Sequence, residues 1–313
     1  MTGAGSTFIY PILAKWSKEY QKVHPNVEIF YEPTGSGRGI TRSLAGLVDF
    51  GASDGPVSEG QLLHAKVKVL HIPATLGAVV PAYNLPGVTE EIRFTGAAIA
   101  GIFLGTIRRW NDPVLARANP RVHLPDKEIF VVCRSDSSGT TSVWTDYLSK
   151  VSPEWNKQFG RGMLIVFPTG NGAQFNEGAV ELIKHTPYSL GYLQSTYAVE
   201  NHVAYGRVEN ANGVFVKAED ASITAAAAAS ATEMPADFRT SITNAADADA
   251  YPISSFTWLL VPNRIEDVEK KRALVGFLRW ILTRGQTMAT SLNYASLPGD
   301  VALNVLRAVD QIQ

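Results

Sequence analysis

The sequence predicts an α/β fold built on a mainly parallel sheet, and three observations carry that expectation. Short β-like runs alternate with helical ones, as at residues 27–48 and again at 129–150. The junctions are loops of glycine and hydroxyl residues: Gly3-Ala4-Gly5-Ser6-Thr7, Thr34-Gly35-Ser36-Gly37-Arg38-Gly39 and Ser138-Gly139-Thr140-Thr141. The length of 313 residues suffices for two domains, each burying its own core.

Taken in order, Ile9, Ile12, Leu13, Trp16, Tyr20 and Val23 recur at three- and four-residue steps and predict a helix over residues 8–23, with Pro11 in its first turn. Val27, Ile29 and Tyr31 alternate with polar neighbours and read as a strand. Ile40, Leu44, Leu47 and Val48 continue as a helix, and residues 49–54 form a short strand ending at Asp54. The apolar run 67–85, broken by Pro73, Gly77 and Pro81, reads as a strand passing from one domain to the other. Further alternation follows at 97–104, at 129–150 and in a strand near 189–192. The alanine run 225–229 favours helix by propensity and reads as structural. Residues 254–261 read as a strand and 268–283 as a long amphipathic helix that rejoins the first domain. No repeat of fixed period is evident.

Composition narrows the function. Lysine plus arginine (28) nearly balance aspartate plus glutamate (29), which leaves no electrostatic footprint for nucleic acid or anionic lipid. No apolar run approaches the roughly 18 residues of a membrane span, so a soluble mature chain is expected. Met1 directly before the first glycine loop reads as a start added after a targeting segment was trimmed. Cys133 is the only cysteine, so an intrachain disulfide and a cysteine metal cluster are excluded.

The chemistry sits in the three loops. The first turn of a helix leaves about four amides without partners, at the positive end of the macrodipole. Glycine admits an anion closely and hydroxyls donate to it, so three such starts point to one shared oxyanion. Asp54, at a strand end, suits an anion that carries a proton. Arg134 has the planar fork to grip oxyanion oxygens, with Asp136 to hold the guanidinium in place. Ordinary capping and a surface Arg–Asp pair are the plainer readings of the same residues. The six histidines lack metal-ligand spacing, no G-x-S-x-G or Walker pattern is present, and the six tryptophans read as core.

Four segments together resemble a known family: Thr2-Gly3-Ala4-Gly5-Ser6-Thr7-Phe8, Asp49-Phe50-Gly51-Ala52-Ser53-Asp54, Arg134-Ser135-Asp136-Ser137-Ser138-Gly139-Thr140 and Asn293-Tyr294-Ala295-Ser296-Leu297-Pro298. They are similar, in order and over essentially the whole chain, to the phosphate-binding proteins of bacterial phosphate ABC transporters (PstS). That resemblance implies a type II periplasmic binding protein fold of two α/β lobes with a hinged ligand cleft. Residues 1–75 plus 252–313 would form lobe I and residues 76–251 lobe II. It implies phosphate ligands Thr7, Phe8 (through its amide), Ser36, Asp54, Arg134, Ser138, Gly139 and Thr140, with Asp136 orienting Arg134. Arg38 departs from the pattern, since a small residue is usual there, and so does Cys133 before Arg134. The implied function is a non-enzymatic, monomeric receptor delivering inorganic phosphate to ABC permease subunits. No cofactor, metal or catalytic residue is expected. Its expected location is periplasmic, or extracellular and anchored through the trimmed segment. Two alternatives remain at this point: a secreted phosphatase-like enzyme using Ser138 or Thr140, and a same-fold receptor for sulfate or molybdate.

Overall fold

The computed structural model describes residues 1–313, the side chain of Thr232 apart. β1 (Thr2–Gly5) leads into α1 (Tyr10–Val23), whose apolar face buries Ile12, Leu13, Trp16 and Tyr20 and whose first turn holds Pro11. β2 (Phe30–Glu32) and α2 (Ser36–Leu44) follow, then β3 (Phe50–Ser53). The expected helix through Leu47 and Val48 stops early. Gly46 takes φ of 69°, and the Leu47 amide donates to Arg42 O at 2.9 Å, the wrap-around bond of a left-handed helix stop. Leu47 is consequently exposed.

α3 (Glu59–Leu63) opens with a capping box between Ser58 and Gln61. β4 (Val69–Asn84) is a single strand of 16 residues in spite of its two prolines. Pro73 falls where the pairing with the returning strand slips between Thr257 and Trp258, so its missing N–H coincides with a bulge. Beyond it come β5 (Arg93–Phe94), α4 (Gly96–Phe103), α5 (Pro113–Ala118), β6 (Phe130–Arg134), α6 (Gly139–Val151) and α7 (Pro153–Gln158). β7 (Asn171–Ala173), α8 (Phe175–His185), β8 (Ser189–Gln194) and α9 (Ser195–Glu200) continue the alternation. β9 (Ala204–Tyr205), β10 (Arg207–Glu209), β11 (Phe215–Val216) and α10 (Asp220–Ala229) precede β12 (Ser254–Pro262), α11 (Val268–Leu282) and α12 (Gly299–Val309).

The main sheet runs β2-β1-β3-β12-β4-β8-β6-β7, with β9 also on β4; β5, β10 and β11 form a small second sheet. In the main sheet, pairing is parallel only in the wings, where β1 lies between β2 and β3 and β6 between β7 and β8. At the centre β12 is antiparallel to both β3 and β4, and β4 is antiparallel to β8. A mainly parallel sheet was expected, and the sheet is mixed. The chain leaves one wing along β4 and returns along β12 through the same seam, so these two strands must oppose each other.

β4 changes partner midway, pairing with β12 through Ala78 and with β8 from Val79. One strand therefore serves both halves of the sheet. Trp16, Trp110, Trp144, Trp155 and Trp258 are fully buried, which is the core role read from the sequence. Trp144 stacks on Tyr192 with ring centroids 5.1 Å apart, beneath the corner where β6 turns into α6.

Candidate anion-binding site

The turn from β1 into α1 and the start of α2 lie on one half of the sheet, and the β6–α6 corner lies on the other. Asp54, one residue past β3, sits between them and is almost completely buried. Ser6 Oγ donates toward its two oxygens at 2.8 and 2.6 Å, Ser36 Oγ donates to Oδ2 at 3.2 Å, and Thr257 Oγ1 donates to Oδ1 at 2.7 Å. Burial pushes the Asp54 carboxyl up to about 6 from an ordinary 3.8, while these three hydroxyls and the Arg134 charge pull it down. At neutral pH it is therefore an anion held by neutral donors.

Opposite Asp54, α6 begins. Ser138 is its N-cap, and its hydroxyl accepts the Thr141 amide at 3.2 Å, which leaves the hydroxyl hydrogen free to point elsewhere. The amides of Gly139 and Thr140 belong to the first turn, where no intrahelical acceptor exists. A Cβ on Gly139 would stand 2.3 Å from both Asp54 Oδ2 and Ser36 Oγ. The two halves are thus in contact at this point, and only glycine permits the approach.

Arg134 ends β6, and its side chain is only 1% exposed. Nε donates to Asp136 Oδ1 at 2.7 Å and Nη2 to Asp136 Oδ2 at 2.6 Å, a bidentate pair, while Nη1 faces Thr140 Oγ1 at 3.4 Å. A guanidinium has five N–H donors, so the Asp136 pair orients the group and leaves donors on its other edge. Such burial removes the plain reading of a surface pair. Tyr192 supports the corner from below: its hydroxyl accepts the Arg134 amide at 3.0 Å and pairs with Thr141 Oγ1 at 2.6 Å.

The remaining sequence candidates are placed as follows. Thr7 Oγ1 accepts from Asn176 Nδ2 at 2.8 Å, and the Thr7 carbonyl accepts from the Tyr197 hydroxyl at 2.8 Å, both from the other half of the fold. The Phe8 amide donates to Ser6 Oγ at 3.0 Å, and its carbonyl accepts from Tyr294. Arg38 is exposed and, with Ser137, Arg161 and Arg239, borders a cavity of about 1190 Å³ that reaches Asp54.

Sequence reasoning passed over Ser6 and Thr257, which hold Asp54, and Asn176, Tyr192 and Tyr197, which brace the site. Ser6 stood inside the first loop motif, and Thr257 is a hydroxyl within an apolar strand. The other three carried no local signal.

Among the described residues, no group of three or more His, Cys, Asp or Glu is disposed to hold a metal ion, and no helix is long and apolar enough to cross a membrane. The arrangement can surround a small tetrahedral anion with amides, hydroxyls and one guanidinium, and present it with one carboxylate.

Comparison with known proteins agrees with this chemistry. A family model described as a PBP superfamily domain matches residues 1–284. The phosphate-binding protein PstS of Pasteurella multocida is 40% identical over 302 residues, covering 96% of this chain and 87% of that protein. PstS of Methanocaldococcus jannaschii is 38% identical, covering 99% and 85%. Among solved structures, a high-affinity periplasmic phosphate-binding protein bound with phosphate superposes with a TM-score of 0.75 at 19% identity, covering 97% of this chain and 92% of that one. A phosphate ABC transporter substrate-binding protein from Clostridium perfringens gives a TM-score of 0.68 at 16% identity, covering 95% and 99%. The mixed sheet crossed by β4 and β12 is the periplasmic binding protein fold, and the chain belongs to the PBP superfamily and, within it, to the PstS family of phosphate-binding proteins.

Proposed function

We propose that the chain is a receptor that takes up inorganic phosphate and hands it to the permease of an ABC transporter. Its two lobes, residues 1–75 with 252–313 and residues 76–251, close on the ion. Thr7, the Phe8 amide and Ser36 donate from one side. Arg134, Ser138, the Gly139 amide and Thr140 donate from the other, with Asp136 keeping Arg134 in line. The Phe8 amide turns from Ser6, and the Ser36 hydroxyl from Asp54, to the ion. The receptor acts as a monomer in the periplasm, or outside the cell on an anchor, and catalyses no reaction.

One observation carries this reading: Asp54 is a buried carboxylate facing the first turn of α6. A negative group opposite an anion is repulsive unless the anion brings a proton to share. Monohydrogen and dihydrogen phosphate do so at neutral pH, whereas sulfate does not. A site built around one hydrogen bond rejects an analogue lacking it by about 10⁴–10⁵. The same geometry weighs against hydrolysis, since neither Ser138 nor Thr140 has a histidine or free carboxylate as base within hydrogen-bond reach among the described residues.

The test is calorimetric titration of protein stripped of endogenous ligand. Phosphate is expected to bind at a single tight site, sulfate to compete hardly at all at equal ionic strength, and a chromogenic phosphate ester to remain intact. Absence of phosphate binding, equal binding of sulfate, or turnover of the ester would overturn the proposal.

A further inference from the structure

Asn176 is completely buried in the first turn of α8, yet it does not cap that helix. Its surroundings fix its direction. The preceding residue, Phe175, takes φ of 61°, and its amide donates to Asp136 Oδ1 at 3.0 Å, so the start of α8 is tied to the carboxylate that holds Arg134. Asn176 Oδ1 accepts the Gln194 amide at 3.4 Å, which turns Nδ2 outward, across the seam, to Thr7 Oγ1 at 2.8 Å.

A threonine hydroxyl has one hydrogen and two lone pairs. Asn176 occupies a lone pair, and among the described residues Thr7 Oγ1 donates to no protein acceptor. Tyr197 meanwhile holds the Thr7 carbonyl. The hydroxyl is thus left with its hydrogen as its free directed group.

Building on the phosphate reading, we infer that Asn176 is a positioning residue: it crosses the cleft to set the Thr7 hydroxyl as a donor toward the bound anion. Because the two residues lie 169 positions apart on opposite halves of the sheet, the bond exists only when the halves meet. Closure then completes the Thr7 donor at the same moment that it encloses the ion. Through Phe175 and Asp136 the same helix start also holds Arg134, so donors on both sides of the ion are set by one turn of chain.

A double-mutant cycle tests this, with phosphate affinity read by calorimetry, phosphate release by stopped flow and ligand-free folding by thermal melting. Asn176→Ala is expected to weaken phosphate binding by roughly tenfold to a hundredfold, mostly through faster release, the scale of one hydrogen bond to a charged group. In a Thr7→Val background the same change should cost less than about threefold, because there is no hydroxyl to orient. Asn176→Asp should be worse than Asn176→Ala, since a carboxylate accepts the Thr7 hydrogen and turns it away from the ion. If Asn176→Ala does not fold, Asn176→Ser carries the cycle, keeping a polar side chain in the buried turn while being too short to reach Thr7. Equal losses with and without the Thr7 hydroxyl, or no loss in either background, would overturn the positioning role while leaving the phosphate reading intact. A wild-type protein that fails to bind phosphate would overturn both.

Discussion

Replacing Asp54 by asparagine should make the ligand-free protein more stable at neutral pH. In the folded chain the carboxyl titrates near 6 rather than 3.8, and burial is the largest cause. A raised acid favours the folded state while it is protonated. That contribution is complete below pH 4 and is lost as pH rises through about 6. The difference of about two pH units corresponds to roughly 3 kcal/mol at about 1.36 kcal/mol per unit. Asparagine keeps the shape and can still meet Ser6, Ser36 and Thr257 by rotating their hydroxyls, but carries no charge. Urea or thermal unfolding in phosphate-free buffer from pH 4 to pH 8 should therefore show two curves that meet near pH 4. By pH 7.5 they should separate by at most about 3 kcal/mol, the full value belonging to the arrangement in which Gly139 covers Asp54, with Asp54→Asn the more stable. Other titrating groups are common to both proteins and cancel in the difference. With phosphate the order should reverse, because the wild type gains more from ligand binding. Parallel curves, or a mutant less stable at pH 7.5 without ligand, would show that Asp54 is not ionised at a cost in the folded chain.

Further outcomes are expected at the same site. Arg134→Lys keeps the charge but loses the fork that Asp136 clamps, and phosphate affinity measured by calorimetry should fall roughly tenfold to a hundredfold. Unchanged affinity would remove Arg134 from contact with the ion. Gly139→Ala introduces a methyl that would sit 2.3 Å from Asp54 Oδ2 and Ser36 Oγ. It should abolish tight binding, and a variant that binds normally would refute the contact. Small-angle scattering of stripped protein should give a smaller radius once phosphate is added, and identical profiles would refute closure between lobes.

Much of the fold was legible because its helices carry strong three- and four-residue periodicity. The α1 face and the α11 face are examples, and both formed where the pattern indicated. The sheet direction was less legible. Alternation of β and α segments suggests parallel pairing, but nothing in residues 69–84 or 254–262 announces that these two strands run side by side in opposite senses. The early end of α2 was written in Gly46, whose left-handed turn outweighed the apolar spacing of Leu47 and Val48. At the site, the residues with a local signal were those in glycine and hydroxyl loops. Thr257 lies 203 positions from Asp54, and Asn176 lies 169 from Thr7. Such partners are chosen by the register of β12 and the seating of α8, which are decided only when the whole sheet is assembled.

The strand shared by both halves has a consequence for how the molecule comes apart. Residues 69–78 of β4 pair with β12 in one half of the sheet and residues 79–84 pair with β8 in the other. One half is a single run of chain between β4 and β12, whereas the other needs both ends of the sequence, and each ends on part of the same strand. Fragments divided at the seam should be insoluble rather than native-like, and heating should yield one calorimetric transition where two separable domains would give two. Inheritance and engineering must then treat the molecule as indivisible: its halves cannot be exchanged singly between relatives without importing the strand that binds them.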